Sequence, residues 1–222
     1  MISIRTIRTH PSAVLLAGQL LAVLAYPFIG TSTAGRAVLG AVGTVLVLVA
    51  LYAVRRTPAL AWIAALLGVP ALMCNLLEPV WPDNDVLLVV SASLHAPFYF
   101  YVSYGMIRYL FHDEKVTRDE LYATGAAFTV VAWGFAYLFL GVQILVPGSF
   151  TGVGGDGQGT WFELLFLSFT NLTSVGLSDI IPVSPHARAL VMVQQVAGVL
   201  YVALVVARLV GLTVARPENR PG

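Results

Sequence analysis

The chain contains one polar segment whose backbone could bind a cation. It is the run Thr173, Ser174, Val175, Gly176, Leu177, Ser178 and Asp179, which lies between a short aromatic stretch and a long apolar one. Backbone carbonyl oxygens along such a segment can replace the hydration shell of an ion. A carboxylate at its end attracts cations. The segment therefore predicts cation binding by the backbone rather than covalent chemistry.

The composition is that of an integral membrane protein. Of the 222 residues, 58% are hydrophobic and only 10% are charged, and apolar runs repeat along the whole length. The net charge is +1 and no basic cluster is interleaved with aromatic residues, so we expect no nucleic-acid partner. Eleven of the twelve basic residues are Arg, a bias that suggests a GC-rich bacterial genome.

Six apolar stretches are long enough to cross a bilayer, which requires about 20 residues per helix. They are 12–31, 37–54, 58–80, 85–111, 120–146 and 186–213. The segment between the fifth and sixth spans is too polar and too broken to cross as one helix. A re-entrant loop is tolerated at membrane depth where protein buries it or where it lines water. The predicted fold is thus an all-α membrane protein of six transmembrane helices with a re-entrant loop.

The distribution of basic residues predicts the orientation of these spans. With six spans, one side of the membrane receives Arg5, Arg8, Arg55, Arg56, Arg108, Lys115, Arg118, Arg208, Arg216 and Arg220. The other side receives Arg36, Glu78, Asp83, Asp85, Asp156 and Arg188. We therefore expect a multi-pass protein of the cell membrane, embedded in the lipid bilayer, with both termini in the cytoplasm.

The stretch from residue 161 to 173 predicts a short helix that enters the membrane without crossing it. It has about a dozen apolar and aromatic residues. The C-terminal end of such a helix carries a partial negative charge, which favours a cation in a central cavity. Residues 174–178 would then return to the surface in an extended conformation, with Asp179 at the mouth.

Residues 161–212 resemble the pore region of the tetrameric potassium-channel superfamily, of the bacterial six-span, pore-loop type. In that family the filter carries T-V-G-Y-G, which corresponds here to residues 174–178 of an atypical TSVGLSD segment. The matching positions are Leu172, Thr173, Val175, Gly176, Asp179, Ile180, Pro182, Pro185, Ala187, Arg188, Gly198, Leu200, Tyr201 and residues 207–212.

The resemblance implies a homotetramer around one pore, with a selectivity filter formed by residues 173–179 of each subunit. Potassium or another monovalent cation would bind the backbone carbonyls of Ser174, Val175, Gly176 and Leu177. No cofactor is expected besides the permeant K⁺ ions.

Three further residues receive roles from the same resemblance. Phe166 and Thr170 would support the filter from the pore helix. Gly198 matches the hinge glycine of the inner helix, where weak helix propensity allows a bend. The alternative for Gly198 is close packing of helices.

Three positions depart from the family pattern. The family's Tyr is Leu177 here, its second filter Gly is Ser178, and Phe166 stands where many relatives have a Trp or Tyr. Hydrogen bonds of those aromatic side chains hold the filter's diameter in the family, so apolar packing must replace them. A residue other than Gly pays about 1 kcal/mol or more for positive φ. We therefore expect strain or a reoriented carbonyl at Ser178, and altered outer ion sites.

The sequence predicts four parts. They are an N-terminal membrane domain of four helices (1–111), a cytoplasmic linker (112–119), a pore domain (120–216) and a short tail (217–222). Within the pore domain we expect a pore helix over 160–172, the filter over 173–179 and an inner helix over 186–213.

The fourth span lacks the regularly spaced Arg of a voltage sensor, since only Arg108 lies in it, at its cytoplasmic end. His95 is either a pH-sensing group or a hydrogen-bonded packing residue. The cluster of Asn75, Glu78, Asp83 and Asp85 is either an ordinary outer loop or a site for external cations or protons. In the sixth span, Gln194 and Gln195 are polar residues in an apolar helix, and we expect either that one of them faces the cavity or that they contact another subunit.

The function predicted from these features is a tetrameric cation channel that passes potassium passively. A weakly selective monovalent cation channel and a non-conducting, pore-like regulatory subunit are the alternatives. A membrane enzyme or transporter is not expected, because no H-E-x-x-H or G-x-S-x-G motif occurs and no ionisable pair is expected near the middle of the membrane.

Overall fold

The structure is a computed structural model that describes residues 11–29, 58–81, 84–110, 118–152 and 158–214. Within these ranges the chain forms six helices and one pair of short strands. They are α1 (Pro11–Ile29), α2 (Pro58–Leu77), α3 (Asp85–Leu110), α4 (Arg118–Leu145), β1 (Phe150–Thr151), α5 (Trp161–Leu172), β2 (Ile181–Pro182) and α6 (Pro185–Val214). The second predicted span (37–54), residues 112–117 of the linker and the tail lie outside the described residues.

Four of the described helices are long and apolar enough to cross a membrane, judged by length and composition. The qualifying stretches are Ser12–Ile29, Asp85–Arg108, Asp119–Leu145 and Pro185–Arg208, in α1, α3, α4 and α6. A shorter apolar run, Trp62–Leu77, lies in α2, which corresponds to the third predicted span. The all-helical, membrane-type architecture expected from the sequence is confirmed at this level. The predicted linker boundary shifts, since Arg118 and Asp119 already belong to α4.

Helix α4 is the centre of the described packing. It contacts α1, α3, α5 and α6, while α2 packs on α3. Small residues on α4 permit these close approaches, because several buried positions carry only a methyl side chain. Those positions are Ala123, Ala126, Ala127, Ala132 and Ala136. Large aromatic side chains, including the fully buried Phe98 and Phe139, fill the space between the helices.

Two polar contacts fix α1 against α4. The backbone N–H and the hydroxyl of Ser12 both donate to the carboxylate of Asp119, over 3.2 and 3.0 Å. About two turns further along α1, the side-chain oxygen of Gln19 accepts the buried hydroxyl of Thr129 on α4. Because the surrounding surfaces are apolar and carry little directional information, these bonds set the register of α1 on α4.

The two ends of the segment between α4 and α6 lie side by side. Strands β1 and β2 pair antiparallel, with Phe150 opposite Pro182 and Thr151 opposite Ile181. The N–H of Val183 also donates to the carbonyl of Ser149, over 2.9 Å. Helix α5 and the residues after it therefore form an excursion that starts and ends beside the last turn of α4.

Candidate functional site

The start of α5 is fixed by a capping box, a reciprocal pair of hydrogen bonds between the N-cap residue and the third helical residue. The N–H of Glu163 donates to the Thr160 hydroxyl over 3.3 Å, and the Thr160 N–H donates to the Glu163 carboxylate over 2.6 Å. Just upstream, the amide side chain of Gln143 on α4 bonds both the N–H and the carbonyl of Gly159, over 2.7 and 2.9 Å. Helix α5 thus begins at a defined point on α4.

At its other end, α5 is closed by the residues that follow it. The carbonyl oxygen of Thr170 accepts the N–H groups of both Val175 and Gly176, over 3.0 and 2.9 Å. The N–H of Ser174 donates to the carbonyl of Asn171 over 3.0 Å. These bonds use carbonyl groups that a helix end leaves without partners. Thr170, proposed from the sequence as a support of the filter, contacts it through this carbonyl oxygen.

The backbone of the filter segment, residues 173–179, departs from the expectation at Ser174, its inner end. Positive φ occurs at Gly176 (+66°) and, among non-glycine residues described, at Ser174 (+60°). Ser178 does not adopt it, so of the two outcomes expected there, the structure has the reoriented backbone. The cost of a left-handed conformation, about 1 kcal/mol, falls on Ser174 instead.

Ser178 forms a tight turn that uses both its N–H and its hydroxyl. Its N–H donates to the carbonyl of Gly176 over 3.1 Å. Its hydroxyl accepts the N–H of Ile180, also over 3.1 Å. The Gly176 carbonyl, expected from the sequence to face the permeant ion, is therefore engaged within its own chain. The N–H groups of residues 174–176 thus bond the end of α5, whereas residues 176–180 form a turn of their own.

The apolar side chains of this region are not covered by their own chain. Val175 is 66% exposed, Leu177 is 76% exposed and Phe166 is 46% exposed. Leu177 and Phe166 are the two positions that lack the hydrogen-bonding aromatic side chains of the family. Both side chains are exposed in the single chain and could pack against another surface. Asp179 lies exposed directly after them.

A buried polar clamp joins three helices behind the filter segment. The amide of Gln194 on α6 donates to the carbonyl and the hydroxyl of Ser168 on α5, over 3.0 and 2.6 Å. The Ser168 hydroxyl in turn donates to the carbonyl of Ala132 on α4, over 2.6 Å. Gln194 is fully buried, so it contacts the pore helix of its own chain rather than a cavity. We call Gln194, Ser168 and Ala132 the three-helix clamp.

Two glycines allow the backbone to close around both ends of the filter segment. A β-carbon at Gly198 on α6 would overlap the carbonyl oxygen of Leu172, the last residue of α5. A β-carbon at Gly152, which has a φ of +81°, would overlap the carbonyl oxygen of Asp179. The close packing considered for Gly198 is therefore present, and its role as a hinge stays a prediction.

The sequence analysis missed several residues of this site. Gln143, Ser168 and Gly152 were not singled out, although Gln143 and Ser168 are polar residues in apolar helices, a signal that can mark interhelical contacts. The link between Glu78, which directly follows α2, and His95 on α3 was also not predicted from the sequence. Glu78 and His95 are brought together through Ser91.

Comparison with known proteins agrees with this geometry. Residues 125–215 match the family model described as "Ion channel". That stretch includes most of α4, all of α5, the filter segment and α6. The chain matches no curated protein and no solved structure. Over these residues the chain is similar to ion channels, and four of its described helices are long and apolar enough to cross a membrane.

Proposed function

We propose that the protein is a homotetrameric channel that passes potassium passively through residues 173–179 of its four subunits. The observation that carries this proposal is the excursion between α4 and α6. A helix of 12 residues, too short to cross a bilayer, ends in a segment with a glycine at φ +66° and returns to its starting point. Such a path suits a helix that enters the membrane, presents its negative end and leads into a carbonyl-lined segment.

Assembly into a tetramer is supported by the apolar side chains that a single chain leaves exposed beside its filter segment. One strand offers an ion carbonyls from one side only, whereas four strands offer a ring at each level. The exposed Val175, Leu177 and Phe166 would gain apolar cover from neighbouring subunits. In this proposal the protein lies in the cell membrane with both termini in the cytoplasm, and it needs no cofactor beyond the permeant ions.

The turn at Ser178 favours a weakly selective monovalent cation channel as the second candidate. Strict potassium preference depends on a row of equivalent carbonyl sites. The Gly176 carbonyl accepts the Ser178 N–H, and Ser178 lacks the positive φ of a filter glycine. Fewer equivalent sites would then discriminate between potassium and sodium less well.

Reversal potentials of the purified protein in liposomes, under a potassium-against-sodium gradient, test both candidates. A potential near the potassium equilibrium value supports a selective filter. A potential near zero with clear current supports the weakly selective pore.

A pair of filter variants completes this test. Leu177→Tyr with Ser178→Gly restores the family pattern, whereas Leu177→Tyr with Ser178→Ala removes the hydroxyl and keeps a non-glycine backbone. If the wild type is silent and only the glycine variant conducts, the native protein is a non-conducting pore-like subunit. Absence of flux from all three proteins, with an intact tetramer, contradicts the channel proposal.

A further inference from the structure

Away from the filter segment, three hydrogen-bonded polar residues link the end of α2 to α3, and one of them also contacts α4. The hydroxyl of Ser91 donates to the carboxylate of Glu78, which directly follows α2. The Nδ1 atom of His95 lies 3.1 Å from the Ser91 hydroxyl and 2.9 Å from the Ser91 carbonyl. Ser91 and His95 are fully buried, and Glu78 is half-buried. We call these three residues the Glu78 unit.

The hydrogen bonds of the Glu78 unit determine where its protons lie. Ser91 has a single hydroxyl proton and donates it to Glu78, so it has none to offer His95. Nδ1 of His95 therefore carries the ring proton and donates it to the oxygens of Ser91. Nε2 is buried and has no hydrogen-bond partner among the described residues. A proton on Nε2 as well would bury a charge without a partner, which is costly, so the neutral ring is the form that fits this site. Glu78 is the last acceptor in this series of hydrogen bonds.

Among the residues that the structure describes, Glu78 has no cationic partner. The titratable groups near it are the Cys74 thiol of α2, the Tyr99 phenol of α3 and the Tyr137 phenol of α4, besides His95. Within the described part of the chain, no Lys or Arg contributes to the electrostatics of Glu78. A carboxylate partly removed from water without a cationic partner is costly, and uptake of a proton removes that cost.

A continuous series of contacts leads from the Glu78 unit to the pore helix. The His95 ring stacks on Tyr137 of α4, with centroids 4.3 Å apart and planes 6° from parallel. The Tyr137 ring lies 5.7 Å from the ring of Trp161, the first residue of α5. Gln143, further along α4, holds the residue that precedes the α5 cap. A shift of His95 relative to α4 is therefore passed to the start of α5.

We propose that the Glu78 unit is a proton-binding site that sets the position of the pore helix. The Glu78 carboxylate takes up a proton from the side on which α4 ends and α6 begins. His95 is a positioning residue, which orients the acceptor through Ser91. When Glu78 is neutral, the bond from Ser91 is no longer charge-assisted and is about half as strong. The tie between α2 and α3 then loosens, and the His95–Tyr137–Trp161 series transmits the change.

Proton uptake is measured directly, without reference to conduction, by infrared difference spectroscopy of the full-length protein in lipid across a pH series. We expect a carboxyl band that titrates in the wild type, is lost in Glu78→Gln, and moves its midpoint by about one pH unit in His95→Gln. Asp85→Asn, an exposed carboxylate of α3, is the control and should leave the band unchanged. If Glu78→Gln does not fold, a displaced band in Glu78→Asp makes the same assignment.

The consequence for conduction rests on the proposed function and has its own variants. Potassium flux is measured against pH, equal on both sides, in wild type, Tyr137→Phe and Tyr137→Leu. The Phe variant keeps the stacking ring and should keep the pH dependence of flux. The Leu variant should lose it while the Glu78 band still titrates. His186→Gln, an exposed histidine at the start of α6, should behave as wild type.

The outcomes separate the two proposals. A band that survives in Glu78→Gln overturns the proton site whatever the flux. A midpoint that does not move in His95→Gln overturns the positioning role of His95. A titrating Glu78 band in a protein without flux keeps the proton site and contradicts the channel. Flux with equal pH dependence in the Leu and Phe variants overturns the coupling to the pore helix.

Discussion

Gly198 packs against the end of the pore helix so closely that a β-carbon would overlap the Leu172 carbonyl oxygen. We predict that Gly198→Ala lowers the stability of the protein by about 1–3 kcal/mol, the usual cost of overpacking, because α5 must move away from α6. For a chain of this size that corresponds to a melting temperature lower by a few degrees. The measurement is thermal unfolding of the purified protein in detergent.

Gly211 on the same helix provides the matched control, since no described atom outside its own stretch of helix lies within 4 Å of a β-carbon built there. Gly211→Ala should be neutral or stabilising, because Ala has the higher helix propensity by about 1 kcal/mol. A hinge at position 198 makes the opposite prediction. If Gly198→Ala is as stable as Gly211→Ala but alters opening of the pore, bending rather than packing explains the glycine.

Within the filter segment, the sequence predicted the backbone conformation of one residue and not that of another. Gly176 was identified from its place in the pattern, and its φ of +66° suits a glycine. The φ of +60° at Ser174 was not predictable from residue type, because serine disfavours that region. It accompanies the bonds of Ser174, Val175 and Gly176 to the carbonyls of Asn171 and Thr170. Local propensity was overridden there by closure of the helix end.

At the scale of the elements, the three-helix clamp connects α6 to α5 and α4 through buried hydrogen bonds. Gln194→Leu removes both bonds to Ser168, and Ser168→Ala removes the hydroxyl that bridges to Ala132. Because the two substitutions disrupt one network, their effects should not add. We predict a coupling energy of about 1 kcal/mol between them, as for one buried hydrogen bond.

A double-mutant cycle in mixed micelles, followed by reversible unfolding, measures this coupling. Gln195→Leu is the comparison, because Gln195 is exposed and its bond to Asn171 is long, at 3.4 Å. Its cycle with Ser168→Ala should give a coupling near zero. Equal coupling for Gln194 and Gln195 would mean that α6 and α5 are joined by general packing and that the clamp is not a distinct unit.

The positions of the helices in the sequence were easier to predict than which side of each helix packs against a neighbour. The pore helix was expected over 160–172 from its short apolar and aromatic stretch, and it is Trp161–Leu172. Its start is fixed by the capping box of Thr160 and Glu163, a pattern that the sequence contains and the prediction did not use. A helix that is apolar all round gives no periodic signal for the side that faces a neighbour. For this reason Gln194 was assigned to a cavity or another subunit, and Glu78 and His95 were considered separately.

For the whole molecule, the position of α1 decides how the N-terminal helices relate to the pore. Ser12 bonds Asp119 at the start of α4, and Tyr26 stacks on Phe162 of the pore helix, with centroids 4.0 Å apart. Tyr26 comes 14 positions after Ser12, a distance of about 21 Å along a helix at 1.5 Å per residue. Helix α1 therefore runs along α4 of its own chain from its first turn to the pore helix. An arrangement in which these helices serve a neighbouring subunit would require α1 to leave α4.

A disulfide between Ser12→Cys and Asp119→Cys, in a Cys74→Ala background, tests this arrangement in the assembled protein. The native side chains are within hydrogen-bond distance, and a disulfide needs β-carbons about 3.5–4.5 Å apart. We predict that oxidation joins α1 to α4 within one subunit. After cleavage at a protease site placed between α3 and α4, the two fragments should stay together until a reductant is added. Cross-linked dimers before cleavage would show that α1 packs on a neighbour, because only a contact between chains can join two subunits.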